Sequence, residues 1–241
     1  MTSPSSPNPL EDVAILRRSG AQTVAVMQPY FVPYGGYFRL FEEADLVVLY
    51  DCVQFPRRGY VHRNRLPDAN GMLKWFTLPI GKTPRDTRIC DLAFVDDAED
   101  RLRRRAREFP SLAPLLADPA LPLARQLFDL SMPPADYITG WLETACISAG
   151  MPFRTIRSSV FDLPDDLRGE NRIIEIVRHC GATHYLNAPG GRGLYDPARF
   201  TDAGIELAFL PEYDGPKESI LHRLLSKEPV EIGTRHTEAV K

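Results

Sequence analysis

Thr23-Val-Ala-Val-Met27, the loop Gln28-Pro-Tyr-Phe-Val-Pro-Tyr-Gly-Gly-Tyr37 and the run Leu46-Val-Val-Leu-Tyr50 decide the fold. The first run is short, apolar and β-branched, as a strand buried on both faces must be. Pro29, Pro33, Gly35 and Gly36 then punctuate a loop. A helix is expected from about Gly36 to Ala44, with Phe38 and Phe41 inward, and Leu46–Tyr50 reads as a second buried strand. Strand, glycine-bearing loop, helix and strand make one βαβ unit. Such units build parallel sheets, because parallel neighbours need a crossover.

The same rhythm returns towards the C-terminus. Phe153–Arg157 is a strand, Asn171–Cys180 an amphipathic helix closed by Gly181, and Thr183–Leu186 a strand. Asp196-Pro197 is a cap followed by proline at the first helical position. Ile205–Leu210 is a further strand, and Glu218–Leu225 the last helix. The fold class is therefore α/β, a mainly parallel doubly wound sheet, interrupted by a hairpin-plus-helix insertion from about residue 57 to 134. Within the insertion, Asp68, Asn70 and Gly71 mark a turn between two strands. Asp96, with Glu99 three residues on, caps a helix running to Phe109. Leu102, Ala106 and Phe109 form its inner stripe, and its arginines read as a solvated face rather than a nucleic-acid patch. Tyr137, Ile138, Trp141, Leu142, Ala145 and Cys146 follow helical spacing in a helix from about Ala135, which Gly150 ends.

At 241 residues, with 44% hydrophobic and 25% charged, the chain can bury a substantial core. Residues 1–20 read as a disordered tail, 21–227 as a single α/β domain and 228–241 as a flexible C-terminal tail. The formal net charge of −3 gives no global attraction to nucleic acid or anionic membrane. Any polyanion site must be a local basic cluster. Cys52, Cys90, Cys146 and Cys180 form no close pair, so buried, reduced thiols are expected rather than staples or a metal site. With no apolar run near the ~20 residues of a membrane span, and no secretory signal, a cytoplasmic protein is expected.

Ligands of open α/β sheets sit at the C-terminal ends of the strands; two clusters fall there, and a third lies in the inserted hairpin. The first is the loop after strand one, where Gln28, Gly35 and Gly36 could face a ligand and the phenols Tyr34 and Tyr37 could donate to its oxygens. The second is Asp51, a proton acceptor, with Gln54 beside it; the alternative is a turn cap and a surface amide. The third is Arg57–Arg65, which holds four arginines, a His and an Asn in nine residues. In strand geometry Arg57, Arg63 and Arg65 share a face, so Arg63 and Arg65, with Asn64 between them, could clamp a phosphate or carboxylate. The alternative is a solvated hairpin. Ser158 and Ser159, Arg172, and Asn187 with Gly190 and Gly191 lie at the same sheet edge. His184 and His222 read as packed or surface residues. No residue set has the spacing of a metal site, a Walker loop or a Ser-His-Asp triad.

Several stretches resemble the WbqC-like family: VAVMQPYFVPYGGYFRLF (24–41), ADLVVLYDCVQF (44–55), RRGYVHRNRL (57–66), IRSSVF (156–161) and the long run 181–210. The resemblance covers roughly Val24 to Leu224. It implies a place in bacterial surface-polysaccharide or natural-product assembly. Cys52 stands where the family tends to carry a second acidic residue, His62 where it has Asn, and His222 where it often has Asp. A Tyr-Pro-Gln segment after the strand ending at Leu210 is missing. The opening strand-loop-helix also resembles that of nucleotidylyltransferases and pantothenate-synthetase-like ligases. Their phosphate-binding histidines are replaced here by Tyr34 and Tyr37.

The expected activity is a transferase that moves an acyl or aminoacyl group onto an amine of a sugar or small metabolite. Asp51 would be the base and Tyr34 or Tyr37 the oxyanion donor. The substrate would be an anionic small molecule or a carrier-bound one, with an acyl-carrier protein among the partners. The cofactor is left open, since ATP and Mg²⁺ belong only to the adenylyl-transfer alternative. A non-catalytic sugar-nucleotide-binding or scaffold protein is the third reading.

Overall fold

The computed structural model describes residues 22–226 and 238–239. Its strands are β1 (Thr23–Met27), β2 (Leu46–Leu49), β3 (Arg63–Pro67), β4 (Leu73–Thr77), β5 (Thr155–Arg157), β6 (His184–Asn187), β7 (Glu206–Phe209) and β8 (Glu238–Ala239). The helices are α1 (Arg39–Glu43), α2 (Ala98–Ala106), α3 (Ala113–Ala117), α4 (Pro122–Phe128), α5 (Pro134–Ser148), α6 (Gly169–His179), α7 (Pro197–Asp202) and α8 (Ile220–Ser226).

The main sheet runs β5-β2-β1-β6-β7-β8, parallel throughout except for β8, which pairs antiparallel with β7. The chain winds outward from β1 through β2 to β5, then restarts beside β1 at β6 and winds the other way. Alternate side chains of β1 feed two different cores. Val24 and Val26 pack with Ile173, Ile176 and Val177 of α6 and Phe200 of α7. Ala25 packs with Leu40 and Phe41 of α1, Leu142 and Ala145 of α5, and Ile220 of α8. Helices on both faces explain why the strands read as continuous apolar runs. This is the doubly wound α/β fold expected from the sequence.

Between β2 and β5 lie the β3–β4 hairpin, with Arg63 opposite Thr77 and Pro67 opposite Leu73, and helices α2 to α4. They enclose a third core around Phe76, Leu102, Phe109 and Trp141. Helix α5 joins the layers, since Tyr137, Ile138 and Trp141 enter this third core while Leu142, Ala145 and Cys146 pack on the sheet. Gly150 follows α5 with φ +67°, a conformation that an L side chain rarely adopts.

Local differences from the sequence reading have identifiable causes. The helix expected from Gly36 begins as a tight 3₁₀ turn over Gly35–Phe38 before α1. Asp97, not Asp96, stands at the start of α2 and makes no side-chain cap bond, because its carboxylate pairs with Arg101 at 2.7 Å. The arginines of α2 are largely matched along the helix: Arg103 pairs with Glu99 and Arg105 with Glu108. Cys146 and Cys180 are buried thiols outside any disulfide, whereas Cys52 and Cys90 are only half-buried. Among the described residues no helix is long and apolar enough to cross a membrane. The tails expected at 1–20 and 228–241 lie outside the described residues, apart from the two residues of β8.

Candidate functional site

The order reversal between β1 and β6 leaves a crevice at their C-terminal ends, the switch point where open α/β sheets bind ligands. A cleft of about 680 Å³ occupies it, within the size range of small-molecule sites. Gln28 lines it from the end of β1, and Asn187, Gly190 and Gly191 line it from the end of β6. Val26 and Met27 both line it as well. Consecutive strand residues point to opposite faces, so the cleft straddles the sheet edge.

The β1–α1 loop forms one wall and is held at many points. Tyr60 accepts from the Phe31 N–H, and Asn64 Nδ2 donates to the Phe31 carbonyl. Ser219 Oγ donates to the Val32 carbonyl at 2.5 Å, and the Ile220 N–H to that of Pro33. Val32 sits at φ +37°, left-handed and unusual for a β-branched residue, a strain of about 1–3 kcal/mol that these tethers must offset. Gly36 is needed for packing rather than for a phosphate. A Cβ there would lie 2.5 Å from both the Tyr213 and Tyr34 rings. A Cβ on Gly191 would lie 2.3 Å from Asn187 Nδ2, whereas Gly190 has nothing within 4 Å. Of the two glycines of the β6–α7 loop that line the cleft, Gly190 is thus the one that leaves room for a ligand.

The charged side chains facing the cleft differ in their partners. Arg65 Nε is buried without a partner. Among the described residues no carboxylate pairs with Arg65 or with Lys217. Lys217 donates to the Tyr213 carbonyl and lies 5.6 Å over the Tyr34 ring and 4.9 Å over Tyr213. Glu212 lines the same wall, close enough to act on Tyr34. Burial, then Tyr60 and Glu212, push the Tyr34 phenol above its ordinary range, with Arg39 opposing. Burial likewise raises Tyr30, Tyr37 and Tyr50, so these phenols stay protonated and can donate. Tyr37 already donates to the Gln28 carbonyl at 2.9 Å, which removes its hydroxyl from the set free to act on a ligand.

Of the residues expected from the sequence, Gln28, Tyr34, Gly36, Tyr37, Arg65, Asn187, Gly190 and Gly191 come together in the cleft, and the others do not. Asp51 is fully buried. Ser158 Oγ and the Ser159 N–H donate to one of its oxygens, at 3.1 and 2.8 Å, and Arg157 Nε and Ser159 Oγ to the other, at 2.5 and 2.9 Å. Arg157 also reaches Asp136 on α5. Burial alone would lower the Arg157 pKa; Asp51 and then Asp136 more than offset this and raise it. Asp51 and Ser158 thus tie β2 to β5 and α5. Gln54 is exposed and donates to the Arg85 carbonyl, while Gly35 is buried in its turn. Arg63 is turned back on its own loop, donating to the Gly59 and Arg58 carbonyls and lying 4.1 Å over Trp75. The expected two-arginine clamp is therefore split, with only Arg65 on the cleft. Asn64, 1% exposed, serves the Phe31 tether.

Glu212, Tyr213 and Lys217 were not singled out by sequence reasoning. They follow the end of β7, where the strand-end rule that picked out Asn187 applies equally. Tyr50, Ile173 and Tyr195 also line the cleft. They read as core in a sequence because they are mostly packed.

Comparison with known proteins gives two matches. The model of the WbqC-like protein family matches residues 28–217. An uncharacterized protein of Mycobacterium tuberculosis (strain ATCC 25618 / H37Rv), Rv1507c, is 27% identical over 202 residues, covering 81% of this chain and 84% of that protein. No solved structure is significantly similar. The family match runs from Gln28 at the end of β1 to Lys217 beyond β7, the span that contributes most of the cleft, and the chain belongs to the WbqC-like protein family.

Proposed function

We propose that the protein is a transferase of glycan or natural-product assembly that moves an acyl or aminoacyl group onto an amine of an anionic, hydroxyl-rich metabolite held in the switch-point cleft. Arg65 carries the reading. Its Nε is buried and unpartnered, on the wall of a cleft that Gln28, Tyr30, Tyr34 and Tyr60 also line. A buried cationic donor left unpaired is costly. An incoming phosphate or carboxylate relieves that cost, and Lys217 lines the same cleft. The amides of Gln28 and Asn187 and the phenols of Tyr30 and Tyr60 supply the neutral donors and acceptors that a hydroxylated ring needs.

For the chemistry, Glu212 replaces Asp51 as the base. It is the carboxylate lining the cleft, whereas Asp51 is enclosed by four hydrogen bonds. As the acceptor nitrogen forms its bond to the acyl carbon, its proton passes to Glu212. The donor's leaving group departs with the electrons of its bond to that carbon. The protonated Tyr34 phenol, beside Glu212, donates to the acyl oxygen as negative charge builds there.

The test is to incubate the protein with amino-sugar phosphates and acyl donors (acyl-coenzyme A, an acylated carrier protein, an aminoacyl adenylate) and to look for the amide by mass spectrometry. Glu212→Gln should slow turnover by about 10²-fold or more while acceptor affinity stays close to wild type. Turnover unchanged in Glu212→Gln would remove the base assignment. Tight acceptor binding with no product from any donor would make the protein a binding module instead.

A further inference from the structure

The residues lining the cleft fall into two chemically different sets, one packed with the α1–α5–α8 core and one with the α6–α7 core, here called its two lobes. The four charged side chains that line it, Arg39, Arg65, Glu212 and Lys217, lie on the α1 side. Arg39 belongs to α1 itself and donates to the Pro211 carbonyl. Lys217 sits over Tyr34, which packs against the α1–α5–α8 core, and Glu212 is beside Tyr34. Arg65 lies over Trp75, and Trp75 touches Tyr60, which touches Tyr30 of the same core region.

The other lobe is lined by Val26, Tyr50, Ile173 and Tyr195, all of the α6–α7 core or packed against it, with Leu194 beside them. None of these carries a charge. Tyr195 pairs its hydroxyl with Tyr185 at 3.3 Å, and burial keeps the Tyr50 phenol neutral although Arg172 and Arg168, behind the lining, act against it. Leu194 is 72% exposed at the rim, an apolar side chain left facing solvent beside an apolar recess. The two lobes meet over the ends of β1 and β6, at Gln28 and Asn187.

We infer that the lobes divide one transfer reaction between them: the charged lobe holds the anion, and the apolar lobe holds the uncharged hydrocarbon chain of the acyl group. This rests on the transferase reading and narrows its donor class to acyl groups with an apolar chain, against aminoacyl groups bearing a free ammonium. Setting a bare ammonium in this lobe would strip its water without supplying a carboxylate.

The test uses two homologous series, n-alkyl phosphates and neutral n-alkanols, from one to eight carbons, titrated by calorimetry. For both series in the wild type, affinity should rise roughly fourfold per methylene until the lobe is full. Filling the lobe with Ile173→Trp should flatten that rise while methyl phosphate still binds as before. Because Ile173 is buried and the variant can misfold, Leu194→Asp on the exposed rim provides the second variant. It should reduce the rise in both series. Hexyl phosphate should bind at least tenfold more tightly than 6-aminohexyl phosphate. Affinity independent of chain length, a rise unchanged in both variants, or equal or tighter binding of the aminohexyl compound would each overturn the inference. The charged lobe is judged separately. If Arg65→Ala binds the whole phosphate series as wild type does, the anion anchor fails, while the alkanol series still decides the apolar lobe.

Discussion

Arg63 and Arg65 stand two positions apart on β3, share a side of the strand and lie against the same Trp75 ring, yet only one of them is committed. Arg63 donates to two carbonyls of its own loop, and Arg65 donates through its side chain to nothing described. Replacing Arg63 with Ala should lower stability by about 1 kcal/mol in urea unfolding and leave ligand affinity unchanged. Arg65→Ala should weaken binding of a phosphorylated ligand about tenfold to a hundredfold, the loss of a charge-assisted contact worth ~1.5–3 kcal/mol, with the melting temperature without ligand not lowered, since the unpaired buried donor is removed. Arg65→Lys should recover part of the binding, since an ammonium lacks the planar fork. Strand periodicity in the sequence brings out the pair but not the division. The strand begins only at Arg63, and the segment before it curls back so that the Arg58 and Gly59 carbonyls accept from Arg63. His62, at that curl, is a second residue-scale case. Burial, then Arg63, lowers its pKa to about 4, and its ring meets Phe55 edge-on at 5.0 Å. The unfolded chain, with an ordinary His near 6.5, binds the proton more readily than the folded one between those values. The stability due to neutral His62 should therefore be complete above about pH 6.5 and be lost as pH falls towards 4. Urea midpoints at pH 7 and pH 4.5 should show a smaller difference in His62→Gln than in wild type.

At the scale of elements, the loops after β1, β6 and β7 build the site, and their glycines separate packing from binding. Gly36→Ala pushes a Cβ into Tyr213 and Tyr34, so the β7–α8 loop must move. A cost of about 1–3 kcal/mol and loss of ligand binding are expected together. Gly190→Ala meets no neighbour within 4 Å and lies on the cleft. Its stability should stay within ~0.5 kcal/mol of wild type, while ligand affinity falls. Melting curves and ligand titrations on the two variants separate the roles, and equal stability would show that the Gly36 contact is not needed. The β1–α1 and β6–α7 loops are legible in the sequence because apolar runs end abruptly at Pro and Gly. The role of Gly36 is not, since it depends on a tyrosine brought by a loop at the far end of the chain. Asp51 shows the opposite limit. A carboxylate at a strand end reads as chemistry, and only the tertiary placement of Ser158, Ser159 and Arg157 makes it a tie between β2, β5 and α5.

For the whole molecule, alternating apolar runs and amphipathic helices suffice to give the doubly wound sheet, because a parallel strand buried on both faces leaves few other arrangements. The position of the cleft follows from strand order, which local patterns do not encode: nothing in the run at 184–187 says that it pairs with β1 rather than with β5. The insertion adds what the sheet lacks, carrying Arg65 and Tyr60 to the cleft on a separate core. The decisive measurement is a thermal-shift titration of wild type and Arg65→Ala with glucosamine 6-phosphate and with glucosamine. A ligand at ~100 times its dissociation constant adds about 2.7 kcal/mol, which for a chain of this size raises the melting temperature by roughly 5–10 °C. The wild type should respond to the phosphate at far lower concentration than to glucosamine, and Arg65→Ala should lose that preference. If the phosphate shifts both proteins equally, or shifts neither, an anionic ligand does not anchor on Arg65 in the switch-point cleft.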